Sequence, residues 1–342
     1  MTTRRQALRQ LALLASAPGL PLALGAGAPK RIGILSEASA EASKDTLIWE
    51  PEVWELMAQR GWVMGQNVVV ERAFADTKSD RLPRLAEELV RKSVDVILCL
   101  GDQEAMVAAA RATQTIPIVV FDVQDPVEQG LVGSFARPGR NVTGISLSWG
   151  PDFAMKRLQY LRTIVPSAKR LCWLWGHDTS LATRVDGTRY DVAASLAAAA
   201  AQKLQFETRI YHVTGASEID KALADAVTWQ AQALTTSGLP VFLARREVAQ
   251  FALRQRWPSA FAVVDFVQVG GLLSLAVADS EVQLLTLRWI EYIDRVLRGA
   301  KPADMPVIGA DRYELQINMK TAETLGLSIP QSILSRADGL VR

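Results

Sequence analysis

The stretch Val94-Asp95-Val96-Ile97-Leu98-Cys99-Leu100-Gly101-Asp102-Gln103 decides the fold class, because it joins a buried strand to the start of a helix. A short apolar run that ends at glycine and leads into a helical segment, Glu104 to Thr113, is typical of a strand-loop-helix unit. The next apolar run, Ile116 to Asp122, completes a β-α-β unit. This pattern predicts an α/β fold with parallel sheets.

The alternation of strands and helices stops once and then starts again. The first series runs from the strand Arg31 to Leu35 through the strand Asn141 to Ser146. An amphipathic helix, Pro151 to Val165, leads into a second series that begins with the strand Arg170 to Trp175. The chain has 342 residues, which is more than one hydrophobic core usually organises. Two α/β domains are therefore predicted.

Residues 1–28 read as a targeting peptide. They start with the pair Arg4-Arg5, continue with the apolar run Leu11 to Leu24, and end in small residues. The arginine pair resembles a twin-arginine export signal, and the general secretory route stays open. Cleavage after Ala26 or after Ala28 is also open. Prolines and glycines interrupt the apolar run, so no stable membrane insertion is expected.

The charge balance argues against a nucleic-acid partner. Residues 29–342 carry 35 basic side chains, the 38 of the chain less three arginines in the targeting peptide, against 36 acidic ones. A nearly neutral body offers no electrostatic footprint for nucleic acid.

Few residues suit metal binding or catalysis. The two cysteines, Cys99 and Cys172, sit in apolar strand runs and are interpreted as buried free thiols. With two histidines and no clustered cysteines, neither a metal site nor a cofactor is predicted. The sequence holds no nucleophile elbow, phosphate loop or zinc-helix motif, so no catalytic residue and no enzyme activity are predicted.

A set of motifs stands in a fixed order from Arg31 to Asp338. They are Gly61-Trp62-Val63-Met64-Gly65-Gln66-Asn67-Val68, Asp80-Arg81-Leu82-Pro83, Asp125-Pro126-Val127, Ala136-Arg137-Pro138-Gly139-Arg140-Asn141-Val142-Thr143-Gly144, Gly270-Gly271-Leu272, Arg298 to Pro306 and Ile317 to Pro330. Together they resemble the ABC transporter substrate-binding proteins related to the tryptophan-binding protein of Gram-positive bacteria.

The resemblance implies a type I periplasmic-binding-protein fold. In that fold two Rossmann-like lobes with parallel sheets are joined by three crossover strands and enclose the ligand between them. The implied crossings assign residues 30–146 and 271–305 to lobe 1, and residues 147–270 and 306–342 to lobe 2.

The implied function is that of an extracytoplasmic solute-binding protein, expected to be a monomer. No cysteine lies near the predicted cleavage point, so a lipid anchor is not expected, which points to the periplasm of a Gram-negative bacterium. It captures a small molecule, an aromatic or other amino acid in the first instance, and delivers it to the membrane subunits of an ABC permease. A small carboxylate, an amide or a purine-like compound stays open as ligand. A binding protein that docks on a membrane receptor kinase stays open as the alternative function.

Loops that follow strands supply the candidate ligand contacts, because ligands of open parallel sheets bind beyond the carboxyl ends of strands. The candidates are Ser36, Glu37, Gly101, Asp102, Gln103, Asp122, Asp125, Trp149, Trp175, Thr179, Asp265 and Phe266.

Two of these carboxylates have two interpretations each. Asp102 either caps the following helix or receives an ammonium or hydroxyl group, and Asp125 either caps a turn or receives a ligand amine. The family usually has a small hydroxylated residue where Asp102 stands, and an aromatic residue where Leu275 stands. Both departures are expected at positions that face the ligand.

Overall fold

The computed structural model describes residues 28–39, 50–76, 78–147, 151–176 and 181–342. The predicted targeting peptide, apart from Ala28, lies outside the described residues. In the described part of the chain, no helix is both long enough and apolar enough to cross a membrane.

Strands and helices alternate along the chain. The strands are β1 (Lys30–Ser36), β2 (Val68–Phe74), β3 (Val96–Leu100), β4 (Ile118–Phe121), β5 (Val142–Ser146), β6 (Arg170–Trp175), β7 (Leu181–Thr183), β8 (Arg189–Asp191), β9 (Glu207–His212), β10 (Ala233–Ser237), β11 (Ser259–Phe261), β12 (Leu273–Val277), β13 (Ile308–Gly309), β14 (Tyr313–Asn318) and β15 (Gly339–Val341). The helices are α1 (Glu50–Ala58), α2 (Leu82–Arg91), α3 (Gln103–Ala112), α4 (Pro151–Ile164), α5 (Val192–Leu204), α6 (Ala216–Thr228), α7 (Leu239–Leu243), α8 (Arg245–Arg254), α9 (Asp265–Gln268), α10 (Asp279–Leu297), α11 (Met319–Leu325) and α12 (Gln331–Leu334).

The chain folds into two compact units, each made of three segments. Unit 1 comprises Met1–Trp149, Thr183–Thr188 and Asp279–Asp311, and unit 2 comprises Gly150–Ala182, Arg189–Ala278 and Arg312–Arg342. Each unit holds its own mainly parallel sheet, so the predicted α/β class is confirmed.

Unit 1 is built on a six-stranded sheet in the order β13-β5-β4-β3-β1-β2, and all its pairings are parallel. Residues Val96 to Cys99 of β3 are all buried, which is typical of a parallel strand covered on both faces. Helix α2 contributes Leu82, Leu85 and Leu89 to the core. The order β2-β1-β3-β4-β5 is the flavodoxin-like doubly wound arrangement.

Unit 2 repeats this arrangement in a seven-stranded sheet of order β15-β14-β12-β11-β10-β6-β9. The strands pair in parallel except that β12 and β14 are antiparallel. Helix α4 covers part of the sheet and buries Leu158 and Leu161 against Trp173 and its neighbours. Within unit 2, β9-β6-β10-β11-β12 is the same order of connections as in unit 1.

The predicted lobe boundaries differ from the observed ones at the last two crossings. The segment predicted to return to lobe 1 at residue 271 does so only at Asp279, because β12 pairs with β11 and with β14 in the sheet of unit 2. The segment ends at Asp311 rather than at residue 305, because Ile308 and Gly309 pair with β5. The first crossing, predicted at residue 146, lies at Trp149.

A hairpin that the sequence analysis did not predict joins β7 to β8. Its turn, Thr183–Thr188, belongs to unit 1. There the amide of Val185 donates a hydrogen bond of 2.9 Å to the carbonyl of Gln129, and Arg184 forms an ion pair with Glu128. The dipeptide Asp186-Gly187 is a turn signal that marks the hairpin in the sequence.

Candidate ligand-binding site

The sheet of unit 1 has its switch point between β1 and β3, where the chain moves from one half of the sheet to the other. In open α/β sheets, ligands bind outside the carboxyl ends of the strands at this point. Strand β1 ends at Ser36 and β3 ends at Leu100. The loops that begin with Glu37 and Gly101 therefore form the candidate site of unit 1.

Asp102 connects these two loops. One carboxylate oxygen accepts a hydrogen bond from the backbone N–H of Glu37, and the other accepts one of 3.0 Å from the N–H of Ala105. The second bond caps helix α3. Burial raises the pKa of Asp102 to about 6, although both backbone hydrogen bonds act in the opposite direction. Of the two interpretations of Asp102, the structure supports the helix cap, with a second role in holding the β1 loop.

Gln103 organises the neighbouring loop after β4. Its side-chain amide donates to the carbonyl of Asp122 at 2.9 Å, and its carbonyl oxygen accepts from the N–H of Gln124 at 3.0 Å. The buried amide of Gln129 donates to the same oxygen at 3.2 Å. Asp122 lies in the left-handed region with φ of 61°. Gln103 and Asp122 were predicted from the sequence as candidate site residues. Gln129 was not, because no spacing signal marks it.

The remaining candidates of unit 1 form hydrogen bonds within that unit. The hydroxyl of Ser36 accepts from the N–H of Ala38 at 3.2 Å, and the carboxylate of Glu37 accepts a hydrogen bond from the hydroxyl of Ser79. Asp125 accepts from the N–H of Glu128 at 3.2 Å, which is the turn-capping interpretation of that residue. Unit 1 thus brings the predicted side chains to one edge of its sheet as a hydrogen-bonded frame.

The switch point of unit 2 lies between β6 and β10, which end at Trp175 and Ser237. The N–H of Gly176 donates to the carbonyl of Ser237 at 2.7 Å, and the indole N–H of Trp173 donates to the Ser237 hydroxyl at 3.0 Å. Gly238 has φ of +89°, and a Cβ there would lie 2.6 Å from the Gly176 carbonyl oxygen. The two loops meet backbone to backbone, with the half-buried Trp175 beside them.

Two expectations for unit 2 need correction. Phe266 is only 2% exposed and stacks on Phe261 with ring centroids 4.1 Å apart, so its ring belongs to the core instead of contacting a ligand. Leu275, expected to face the ligand, is also buried, in the core cluster that contains Leu158. Like Leu273, it lies on the face of β12 that packs against helix α4, because side chains of a strand alternate between the two faces of the sheet.

Asp265 begins the short helix α9 and is half-buried. Trp149 and Thr179 lie outside the described residues. Among the described residues, no three His, Cys, Asp or Glu side chains come together in a way that could hold a metal ion.

The sequence analysis missed one charged residue, Arg157 of helix α4. It is 3% exposed, and burial lowers the pKa of its guanidinium to about 10. Its Nε has no hydrogen-bond partner among the described residues. A signal was present: Arg157 stands between Phe153 and Leu161 at helical spacing, on the apolar stripe of the predicted helix.

Comparison with known proteins identifies the family of the chain. The family model described as ABC transporter substrate binding protein matches residues 53–341. The chain belongs to this family. It is a family of binding proteins and not of enzymes, and the resemblance stated from the sequence motifs is confirmed.

The chain is similar to one curated protein in sequence and to two solved structures in fold, each at low identity. A tyrosine-binding protein of Clostridioides difficile is 26% identical over 278 residues, which cover 79% of this chain and 74% of that protein. A substrate-binding domain from Streptococcus pneumoniae, crystallised with L-tryptophan, has a TM-score of 0.67 at 23% identity, covering 91% of this chain and 100% of the other. A conserved domain protein of Vibrio cholerae has a TM-score of 0.68 at 22% identity, covering 91% and 99%.

Proposed function

We propose that the protein is the extracytoplasmic solute-binding component of an ABC importer. It captures a small molecule, an aromatic amino acid or a related aromatic acid, and delivers it to the permease. The family match supports the transporter role. The observation that carries the binding role is the switch point present in each unit, at Glu37 and Asp102 in unit 1 and at Trp175 and Ser237 in unit 2.

The chemistry of the two switch points suits a small polar solute with an aromatic part. In unit 1 the loops are held by hydrogen bonds between Asp102, Gln103 and their neighbours, so their backbone groups are fixed before a ligand arrives. In unit 2 the half-buried Trp175 supplies an aromatic face. Preformed loops reduce the ordering cost of binding.

The ligands of two relatives give the first candidates. One relative is named for tyrosine and another was crystallised with L-tryptophan. Because both relatives are under 30% identical to this chain, the solute is proposed as a class, aromatic amino acids and aromatic acids, and not as one compound.

A thermal-shift panel tests the proposal. The purified protein is heated with amino acids, aromatic acids, nucleosides and sugars in turn, and hits are measured by isothermal titration calorimetry. We expect the midpoint of unfolding to rise with one or more aromatic amino acids or acids, since a ligand that binds only the folded state stabilises it. A strong rise with a nucleoside or sugar alone would contradict the proposed solute class.

Delivery to the permease is tested in a cell. Deletion of the gene is expected to abolish uptake of the radiolabelled hit, and re-expression of the full chain to restore it. Unchanged uptake in the deletion strain would contradict the import role while leaving solute binding in place.

A further inference from the structure

Helix α4 carries two buried or partly buried arginines in different environments. Arg162 donates to the carbonyls of Leu204 at 2.8 Å, Pro166 at 3.0 Å and Gln205 at 3.1 Å. Arg157, five positions earlier, is 3% exposed, and its buried Nε has no hydrogen-bond partner among the described residues. Arg162 ties the helix to its surroundings, whereas Arg157 buries a donor that none of the described groups accepts from.

An isolated buried charge is costly. Moving a cation out of water carries a penalty that only an opposite charge or several hydrogen bonds offset. Burial lowers the pKa of Arg157 to about 10, which is still above neutral pH, so the guanidinium stays charged in the folded protein. An anionic ligand would supply the partner that the described residues do not give this charge.

The orientation of helix α4 indicates the direction in which the Arg157 side chain extends. Helix α4 connects β5 of unit 1 to β6 of unit 2. Near its C-terminal end, Arg162 donates to the carbonyls of Leu204 and Gln205, which lie just before β9. The helix therefore ends at the edge where the parallel strands begin, and its first turns lie toward the edge where they end. Arg157 lies about 9 Å along the helix from its first residue, Pro151, at 1.5 Å per residue. Side chains of a helix lean toward its N-terminus. This direction leads toward the edge that carries Trp175 and Ser237.

We infer that Arg157 binds the carboxylate of the captured solute. The planar guanidinium offers paired N–H donors that match the two oxygens of a carboxylate. This inference rests on the proposed function and narrows it to solutes that carry a carboxylate. It assigns anion recognition to unit 2, whereas Asp102 of unit 1 uses its own carboxylate to hold the loops of the protein.

Pairs of probes with and without a carboxylate provide the experiment. Calorimetry compares L-tyrosine with tyramine, L-tryptophan with tryptamine, and benzoate with benzamide, on the wild type and on Arg157→Met, Arg157→Lys and Arg162→Met. The wild type is expected to bind the acid of at least one pair and to bind its neutral or amine counterpart about 100-fold more weakly, the effect of leaving a buried charge unpaired.

The variants separate recognition from structure. Arg157→Met is expected to weaken binding of the acid by about 100-fold. Its ligand-free midpoint of unfolding is expected to stay unchanged or to rise, because a buried unpaired charge has been removed. Arg157→Lys keeps the charge without the paired donors. Its affinity for the acid is expected to lie between those of the wild type and of Arg157→Met. Arg162→Met is expected to lower the ligand-free midpoint, since it breaks the carbonyl bonds, and to keep the affinity of the folded protein.

Three results would overturn the assignment. The first is that the probe that binds most tightly lacks a carboxylate. The second is that Arg157→Met binds the acid with an unchanged dissociation constant. The third is that the ligand-free midpoint of unfolding falls as far in Arg157→Met as in Arg162→Met. In the second case the wild type still binds its solute, so the proposed function stands while the role of Arg157 fails.

Discussion

The backbone N–H of Glu37 donates to the carboxylate of Asp102, a residue 65 positions further along the chain. The same carboxylate caps helix α3 through Ala105. The loops after β1 and β3, which flank the switch point of unit 1, are thus held together by a single side chain.

The first prediction concerns the pH dependence of this contact. The pKa of Asp102 is raised from 3.8 to about 6 in the folded protein, so between these values the folded state holds a proton that the unfolded state has lost. The contribution of Asp102 to the free energy of unfolding therefore falls as pH rises through this window, by about 3 kcal/mol in total. Urea unfolding of the wild type and of Asp102→Asn at pH 4 and pH 7 measures the difference.

Asp186 provides the control. Its pKa is lowered by hydrogen bonds from Thr188, so the stability it adds is present above its unfolded pKa and is lost as pH falls through the folded one. The stability lost in Asp186→Asn relative to the wild type should therefore grow as pH rises, opposite to the trend for Asp102, and over a lower pH range. If the wild type and Asp102→Asn differ by the same amount at both pH values, the carboxylate is not buried in a raised-pKa state.

The second prediction separates two aromatic residues that the sequence analysis treated alike. Phe266 is part of the core, so Phe266→Ala should cost about 3–5 kcal/mol in the free energy of unfolding. Trp175 is half-buried at the end of β6, so Trp175→Ala should weaken binding of the aromatic solute by about 10-fold or more. Its loss of stability should be smaller than that of Phe266→Ala. Chemical denaturation and calorimetry read the two effects separately.

Phe266→Leu keeps an apolar side chain in the core and serves as the matched control, with affinity unchanged. A loss of affinity in Phe266→Leu at full stability would show that the ring contacts the solute.

The third prediction concerns the backbone junction of unit 2. A Cβ at Gly238 would lie 2.6 Å from the Gly176 carbonyl oxygen, and φ there is +89°. Gly238→Ala should therefore separate the two loops and cost about 2–4 kcal/mol in stability. At Gly215 an added Cβ meets nothing within 4 Å, so Gly215→Ala should cost under about 1 kcal/mol. Equal midpoints of unfolding for the two variants would contradict the close approach.

The fourth prediction concerns the thiols. Cys99 and Cys172 are free and buried, and burial raises the pKa of both thiols. The thiolate is the reactive form. Ellman's reagent at pH 8 should therefore detect no thiol in the folded protein and two after unfolding in guanidinium. Rapid reaction of either cysteine in the folded protein would show that its strand is accessible.

Much of the fold could be predicted because it is encoded locally. The run Val96 to Leu100 is apolar throughout, a pattern that is typical of a parallel strand covered on both faces. Helix α2 begins where Pro83 falls in the first turn, which is a local steric signal. The cap made by Asp102 was likewise one of the two interpretations that the sequence offered.

Contacts between distant segments could not be predicted. The bond from Glu37 to Asp102 depends on two loops that meet only when β1 and β3 pair. The burial of Leu275 depends on its register with Leu315 of β14, which spacing alone does not fix. Arg157 was missed for a different reason: charged residues are normally assigned to the solvent face, and the apolar stripe around this one was not weighed against that rule.

The return of residues Asp279–Asp311 to unit 1 has a kinetic consequence. Strand β13 completes the first sheet next to β5, yet it is synthesised after most of unit 2. An emerging chain therefore holds an unfinished sheet edge at β5 until nearly its whole length is available. Pairing across so many intervening residues is slow, so the interval between synthesis of β5 and synthesis of β13 is when this protein is most exposed to aggregation and most in need of a chaperone.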